Sequence, residues 1–139
     1  MEYKRFGAKI LIRLDPGDEV IESLKKVCRD EKVTMGVLSG IGAIDRAIVG
    51  LFDPKEKKYH SNEIKKNLEI TALAGNVTTM DGEVYIHAHA TMGDIESNAF
   101  GGHLNEADVS CTAEIIIDVF EGQVDREKSE KIGLNLLKF

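Results

Sequence analysis

The stretch Leu68–Met92, LEITALAGNVTTMDGEVYIHAHATM, decides the fold because it predicts a β-hairpin. Leu68–Val77 alternates with the period of two that is typical of a half-buried strand. Asp81-Gly82 is a strong turn signal between two strands, and Val84–Met92 forms the second strand. The first strand is predicted to place Leu68, Ile70, Ala72 and Ala74 on one face, and Glu69, Thr71 and Leu73 on the other.

The rest of the chain adds strands to this hairpin. Runs of alternating or β-branched residues predict strands at Ala8–Leu14, Val33–Ser39, Ile44–Phe52, Val109–Phe120 and Leu134–Phe139. Ser39-Gly40-Ile41-Gly42 predicts a tight turn or a bulge between two of them.

One helix is predicted, from about Asp18 to Glu31, with Asp15 as its cap and Pro16 in its first turn. Its apolar stripe consists of Val20, Ile21, Leu24, Val27 and Cys28. The predicted fold class is therefore α+β: a mostly antiparallel, strongly curved β-sheet with one long α-helix packed on it, in a single domain spanning residues 1–139.

Composition excludes several classes of protein. With 42% hydrophobic and 30% charged residues in 139, the chain is neither disordered, collagen-like nor a disulfide scaffold. It has 24 acidic against 18 basic residues, and a net charge of −6 opposes non-specific nucleic-acid binding. No secretory signal or membrane-length apolar run is evident, which predicts a cytoplasmic protein with Cys28 and Cys111 both buried and reduced.

Three of the four histidines carry the strongest chemical signal. His87 and His89 are two positions apart on a predicted strand, so their side chains point to the same face. His103 follows Gly101-Gly102, where the backbone can turn sharply or approach a neighbour closely. If the segment through Gly102 pairs with Val84–Met92, the three imidazoles meet, and they can hold a zinc ion or another divalent transition metal. Hydrogen-bonded strand histidines are the alternative.

These residues resemble a known family. Val84-Tyr85-Ile86-His87-Ala88-His89-Ala90 and Gly101-Gly102-His103-Leu104 are similar to the signature of the PPC domain (plants and prokaryotes conserved). Further similarity, in order along the chain, lies at Arg13-Leu14, Ser39–Ala43, Leu68–Ile70, Ala74–Asn76 and Glu114-Ile115.

The resemblance implies an α+β homotrimer with a fold similar to that of acetolactate decarboxylases. Those enzymes hold zinc with three histidines, two of them in a His-x-His pair, which implies metal-ligand roles for His87, His89 and His103. Plant members bind DNA through an attached AT-hook, an Arg-Gly-Arg-Pro-like core that this sequence lacks. A nucleic-acid partner is therefore not expected.

Charged strand residues are candidates for positions beside the metal. Glu69 is a candidate general base and Arg13 a candidate clamp for a substrate carboxylate, although ion pairs would account for both. Glu114 is a weaker candidate of the same kind. His60, in a charged stretch, is predicted to be solvated.

Two functions are compatible with these residues. One is a metal-dependent enzyme acting on a small carbonyl or carboxylate substrate. The other is a non-catalytic module that binds DNA or a protein partner, with a structural metal or none. Outward-facing apolar residues such as Ile116 and Phe120 favour self-association in either case, although a central parallel strand has the same pattern.

Overall fold

The computed structural model describes residues 1–139, which form eight strands and one helix. The strands are β1 (Glu2–Phe6), β2 (Lys9–Leu14), β3 (Gly36–Asp53), β4 (Lys58–Met80), β5 (Glu83–Gly93), β6 (Ala99–Val119), β7 (Asp125–Lys128) and β8 (Asn135–Lys138). The helix is α1 (Val20–Asp30).

The predicted fold class is wrong in its helical part. Strands make up 67% of the residues and the helix only 8%, so the fold is a curved antiparallel sheet and not an α+β fold with one long helix. The helix has 11 residues because Glu19, not Asp15, caps it: the Glu19 carboxylate accepts hydrogen bonds from the N–H groups of Ile21 and Glu22. Asp15 instead binds the N-terminal ammonium group.

The end of the helix is fixed just as locally. Lys32 adopts a left-handed conformation with φ of 55°, and the N–H of Val33 donates to the carbonyl of Cys28 at 2.8 Å. This bond closes the last turn in the manner of a Schellman motif. The apolar stripe of the helix is confirmed, since all five of its residues are buried, and it packs on β5 and β6.

The sheet closes on itself around its long strands. β3 pairs antiparallel with both β4 and β6, and β5 pairs antiparallel with the same two strands. The four strands therefore form a ring. β2 and β1 extend the sheet beyond β6, and the hairpin of β7 and β8 joins the end of β4 through one parallel bridge between Thr79 and Asp125.

Two irregularities explain where the predicted strands differ from the observed ones. The segment around Gly40 is a register shift inside the continuous strand β3, so it is a bulge and not a turn. A second shift between Ile70 and Ala72 exchanges the faces of β4. Leu73 is consequently buried while Ala72 and Ala74 are exposed, the reverse of the prediction.

The core lies between the helix and the concave sheet. Ile86, Ala88 and Ala90 of β5 face it, as their alternation predicts, and all three are buried. Both cysteines are free. Burial raises the pKa of the Cys28 thiol to about 12, whereas Cys111 is exposed, so its predicted burial is wrong. The 11-residue helix is too short to cross a membrane.

Candidate metal centre

His87, His89 and His103 meet at one point on the sheet, as the sequence predicts. The ring centroid of His87 lies 5.3 Å from that of His89 and 5.1 Å from that of His103. The centroids of His89 and His103 are 5.4 Å apart. One ring nitrogen of each lies within 4.8 Å of the other two. Nε2 of His87 and Nε2 of His89 are 3.4 Å apart, which is long for a hydrogen bond between nitrogens.

Strand register produces this convergence. His87 and His89 project from the same face of β5, and His89 is the direct cross-strand partner of His103 on β6. Gly102 is required beside them for a close approach between strands: a Cβ there would lie 2.8 Å from the carbonyl oxygen of Gly50. The glycine pair thus permits close backbone contact of β6 with β3 and β5 and does not form a sharp turn.

The surroundings of His87 and His103 favour the neutral form of these two imidazoles. Burial lowers the pKa of His87 to about 4, with further lowering by the neighbouring His103 and by the Arg126 guanidinium. Burial, followed by His89 and Arg126, also lowers the pKa of His103. Neutral imidazole nitrogens are the form that binds metals.

A pH dependence of stability follows for the metal-free protein. An unfolded histidine titrates near 6.5 and folded His87 near 4. Between these values the unfolded state binds a proton that the folded state does not. The free energy of unfolding is therefore not reduced by His87 above pH 6.5, and it falls as the pH is lowered towards 4. With chelator present, the melting temperature of wild type should fall relative to that of His87→Asn as the pH is lowered from 7 to about 4.5, because the variant lacks this titrating group. A difference in melting temperature between wild type and His87→Asn that does not change with pH would contradict the lowered pKa of His87.

The histidines line a cavity of about 840 Å³. Tyr59 packs edge-on against His103, with ring centroids 6.2 Å apart, and its hydroxyl accepts a 2.7 Å hydrogen bond from Asn105. Gly50 leaves space for the Tyr59 ring, because a Cβ at position 50 would clash with the tyrosine hydroxyl oxygen.

Arg126 also lines this cavity, a position that its sequence pattern does not predict. It lies on β7 and its side chain is buried, with 7% exposure. Its guanidinium stacks over the ring of Tyr85 at 4.7 Å, and burial lowers its pKa. In the sequence, Arg126 stands between Asp125 and Glu127 and has the pattern of an ordinary exposed charge.

Comparison with known proteins places the chain in a family. The family sequence model of the Plants and Prokaryotes Conserved (PCC) domain matches residues 1–121 of this chain. The chain belongs to the PCC domain family. This confirms the resemblance inferred from the His-x-His and Gly-Gly-His segments.

Relatives of this PCC domain carry different names. The bifunctional protein GlmU of Synechococcus sp. is 32% identical over 108 residues, which are 76% of this chain and 16% of GlmU, so the chain spans about one sixth of that relative. A Bacteroides thetaiotaomicron protein, provisionally named DNA-binding, superposes with a TM-score of 0.96 at 30% identity, covering 99% of this chain and 96% of its own. The metal-containing protein AF0104 of Archaeoglobus fulgidus superposes with a TM-score of 0.88 at 28% identity, covering 99% and 97%.

The predicted likeness to acetolactate decarboxylase is confirmed at the level of fold. The enzyme of Bacillus subtilis superposes with a TM-score of 0.56 at 15% identity, over 84% of the PCC chain and 54% of the enzyme. At this identity the similarity concerns the fold alone.

The other predicted site residues of this PCC domain lie elsewhere. Glu69 and Glu114 line a separate cavity of about 350 Å³. Arg13 is exposed and pairs with Asp15 at 3.0 Å and with Glu2 at 3.3 Å. Neither Arg13 nor Glu69 lines the histidine cavity, so the structure gives their predicted catalytic roles no contact with the cluster. His60 is exposed, as predicted.

Proposed function

We propose that this protein binds a divalent transition metal, zinc in the first place, through His87, His89 and His103. We further propose that it uses the surrounding cavity to bind or transform a small carbonyl or carboxylate compound. The observation that carries the metal proposal is the 3.4 Å separation of the Nε2 atoms of His87 and His89. Two nitrogens bound tetrahedrally to one zinc at 2.0–2.1 Å are about 3.3–3.4 Å apart.

The chemistry of the donor set fits such an ion. All three side chains are imidazoles, the lowered pKa values of His87 and His103 keep those two rings deprotonated, and their nitrogens face one another across the cavity wall. Zinc held by three protein ligands keeps a position for water or substrate and acts there as a Lewis acid. The name of the Archaeoglobus relative, a metal-containing protein, supports the same proposal.

The neighbouring residues hold this donor set in place. Tyr59 packs against the ring of His103 and is itself fixed by the hydrogen bond from Asn105. His87 and His89 are anchored by the pairing of β5 with β4 opposite Asn76 and Ala74. The three rings therefore need little ordering when an ion binds, which favours affinity.

Metal analysis of protein purified without a histidine tag tests the proposal. We expect about one equivalent of metal per chain, and X-ray absorption at the metal edge will identify the element. Protein that carries less than about a tenth of an equivalent and takes up no added zinc would overturn it.

We also propose that the protein assembles as a homotrimer through an exposed apolar face of the sheet. Leu11 on β2 and Ile116 on β6 are cross-strand partners, and they are 48% and 43% exposed. Val37 and Ile41 of β3 are also exposed on the strand adjacent to β6. Glu114 and Asp118 lie between these apolar side chains, and burial against another copy would cover the exposed apolar area.

Sedimentation equilibrium tests the assembly. Wild type should sediment with the mass of three chains, and Ile116→Glu should sediment as a monomer, because burying an unpaired carboxylate in an apolar interface is costly. Ile95→Glu is the matched control, since Ile95 is 94% exposed in a turn and should leave the assembly intact. A monomeric wild type would refute the trimer.

DNA binding is the competing function, and it is favoured by the name of the Bacteroides relative. The charge balance of 24 acidic to 18 basic residues opposes it. A gel shift on A/T-rich duplex that weakens steeply with salt would support DNA binding instead.

A further inference from the structure

Arg126 is a buried cation without a counter-charge. It is the only charged residue among the buried ones, and no carboxylate lies within ion-pair distance of its guanidinium. Its three partners are neutral: Nε donates to Thr78 Oγ1 at 2.8 Å, Nη1 to the Asn135 carbonyl at 3.0 Å, and Nη2 to Asn76 Oδ1 at 2.8 Å.

These hydrogen bonds leave two N–H groups of the guanidinium without an acceptor. The group carries five N–H donors, so one N–H on each of Nη1 and Nη2 has no partner. Each of these N–H groups can donate to an oxygen of a carboxylate or phosphate group. The three hydrogen bonds to Thr78, Asn135 and Asn76 hold the guanidinium at the wall of the histidine cavity.

The cavity as a whole lacks negative charge. None of the 24 acidic side chains of the chain lines it, although the molecule has a net charge of −6. Arg126 lines the same cavity as the three histidines, and a divalent ion on the histidines would add further positive charge. Buried charge is costly unless it is paired, so the cavity favours an anionic occupant.

Part of the cavity wall is apolar, and Leu137 in it is the cross-strand partner of Arg126. This apolar part includes Leu51 from β3 and, from the end of the chain, Leu134, Leu136 and Leu137. All four are exposed, and Leu51 is 70% exposed. Leucine side chains around a cavity gain stability when an apolar group covers them.

We propose that this cavity binds a small organic oxyanion, a carboxylate or a phosphate monoester, with its charged end at Arg126 and an apolar body against the four leucines. This inference rests on the proposed function in sharing its cavity, but Arg126 and the leucines act without a metal. Residues 122–139 supply Arg126 and three of the leucines, and they lie beyond the segment that the family model matches. Most of the proposed anion site is therefore supplied by the segment that contains the hairpin of β7 and β8.

Isothermal titration calorimetry with three six-carbon probes tests the proposal. Hexanoate, hexyl phosphate and neutral 1-hexanol are each titrated into protein loaded with zinc and into protein stripped of metal by chelator and dialysed. We expect at least one of the two anions to bind at least about ten times more tightly than hexanol in both preparations. The stronger of the two anions identifies the headgroup.

Variants assign this preference to the guanidinium. Arg126→Gln should lose the anion preference at least about tenfold, and Arg126→Lys should retain part of it, because it keeps the charge but not the paired donors. Lys128→Gln is the matched control: it removes one positive charge from the same strand at an exposed position. Circular dichroism checks that each variant is folded, and the comparison of probes on wild type stands if Arg126→Gln is not.

The outcomes separate this inference from the metal proposal. Equal binding of hexanol and both anions to wild type, no binding of either anion, or an unchanged anion preference in folded Arg126→Gln would each overturn the oxyanion site while leaving metal content intact. A protein that binds no metal but discriminates anions through Arg126 would sustain the oxyanion site and refute the metal centre.

Discussion

Alanine in place of any one of His87, His89 or His103 is expected to weaken zinc binding at least about 100-fold. Each histidine supplies one of only three nitrogens that approach one another within 4.8 Å, and removing one leaves two ligands, too few to hold zinc tightly. Competition with a chromophoric chelator measures the change, and metal analysis of the purified variants provides a second, independent readout.

His60→Ala is the matched control for these variants. His60 is an exposed histidine of β4 that does not line the histidine cavity, and its removal should leave the zinc affinity unchanged. The metal-free variants should melt close to metal-free wild type, since the three side chains sit at a cavity wall and not in the core. An His89→Ala protein that keeps its zinc would show that the ion lies elsewhere.

Gly75→Ala is expected to cost about 3 kcal/mol of unfolding free energy or more, because the added methyl group meets backbone and not a movable side chain. A Cβ at Gly75 would lie 2.3 Å from the carbonyl oxygen of His87 and 2.8 Å from Cα of Ala88. β4 and β5 would have to separate beside the histidine pair. The same substitution should therefore also weaken zinc binding.

Gly93→Ala is the control for crowding in the same strand pair. Its Cβ would meet only the methyl group of Thr71, at an ordinary contact distance of 3.8 Å. Urea denaturation of both variants measures the difference, and we expect Gly93→Ala to change stability by less than about 1 kcal/mol. Equal stability of the two variants would show that β4 and β5 can adjust without cost.

The histidine cluster could be predicted because its geometry is local. The alternation of β5 fixes the face of His87 and His89, and one antiparallel pairing brings in His103. The face of β4 after Ile70 could not be predicted in the same way, since a single bulge exchanges inside and outside. No residue pattern around Thr71 marks that bulge.

The start of the helix and the role of Arg126 depend on contacts that are distant in sequence. Asp15 has the local pattern of a helix cap, but its carboxylate forms an ion pair with the N-terminal ammonium group. Glu19 caps the helix instead. Arg126 is buried because the terminal hairpin folds onto β4, where Thr78 and Asn76 accept its hydrogen bonds. Neither relation leaves a signal within a short window of sequence.

The placement of Tyr59 and Tyr85 gives the molecule a built-in optical reporter. The chain has no tryptophan and only three tyrosines, and these two line the histidine cavity, while Tyr3 lies on β1 at the far side of the sheet. Tyrosine emission is therefore dominated by the cavity, and occupancy can be followed in the unlabelled wild-type protein.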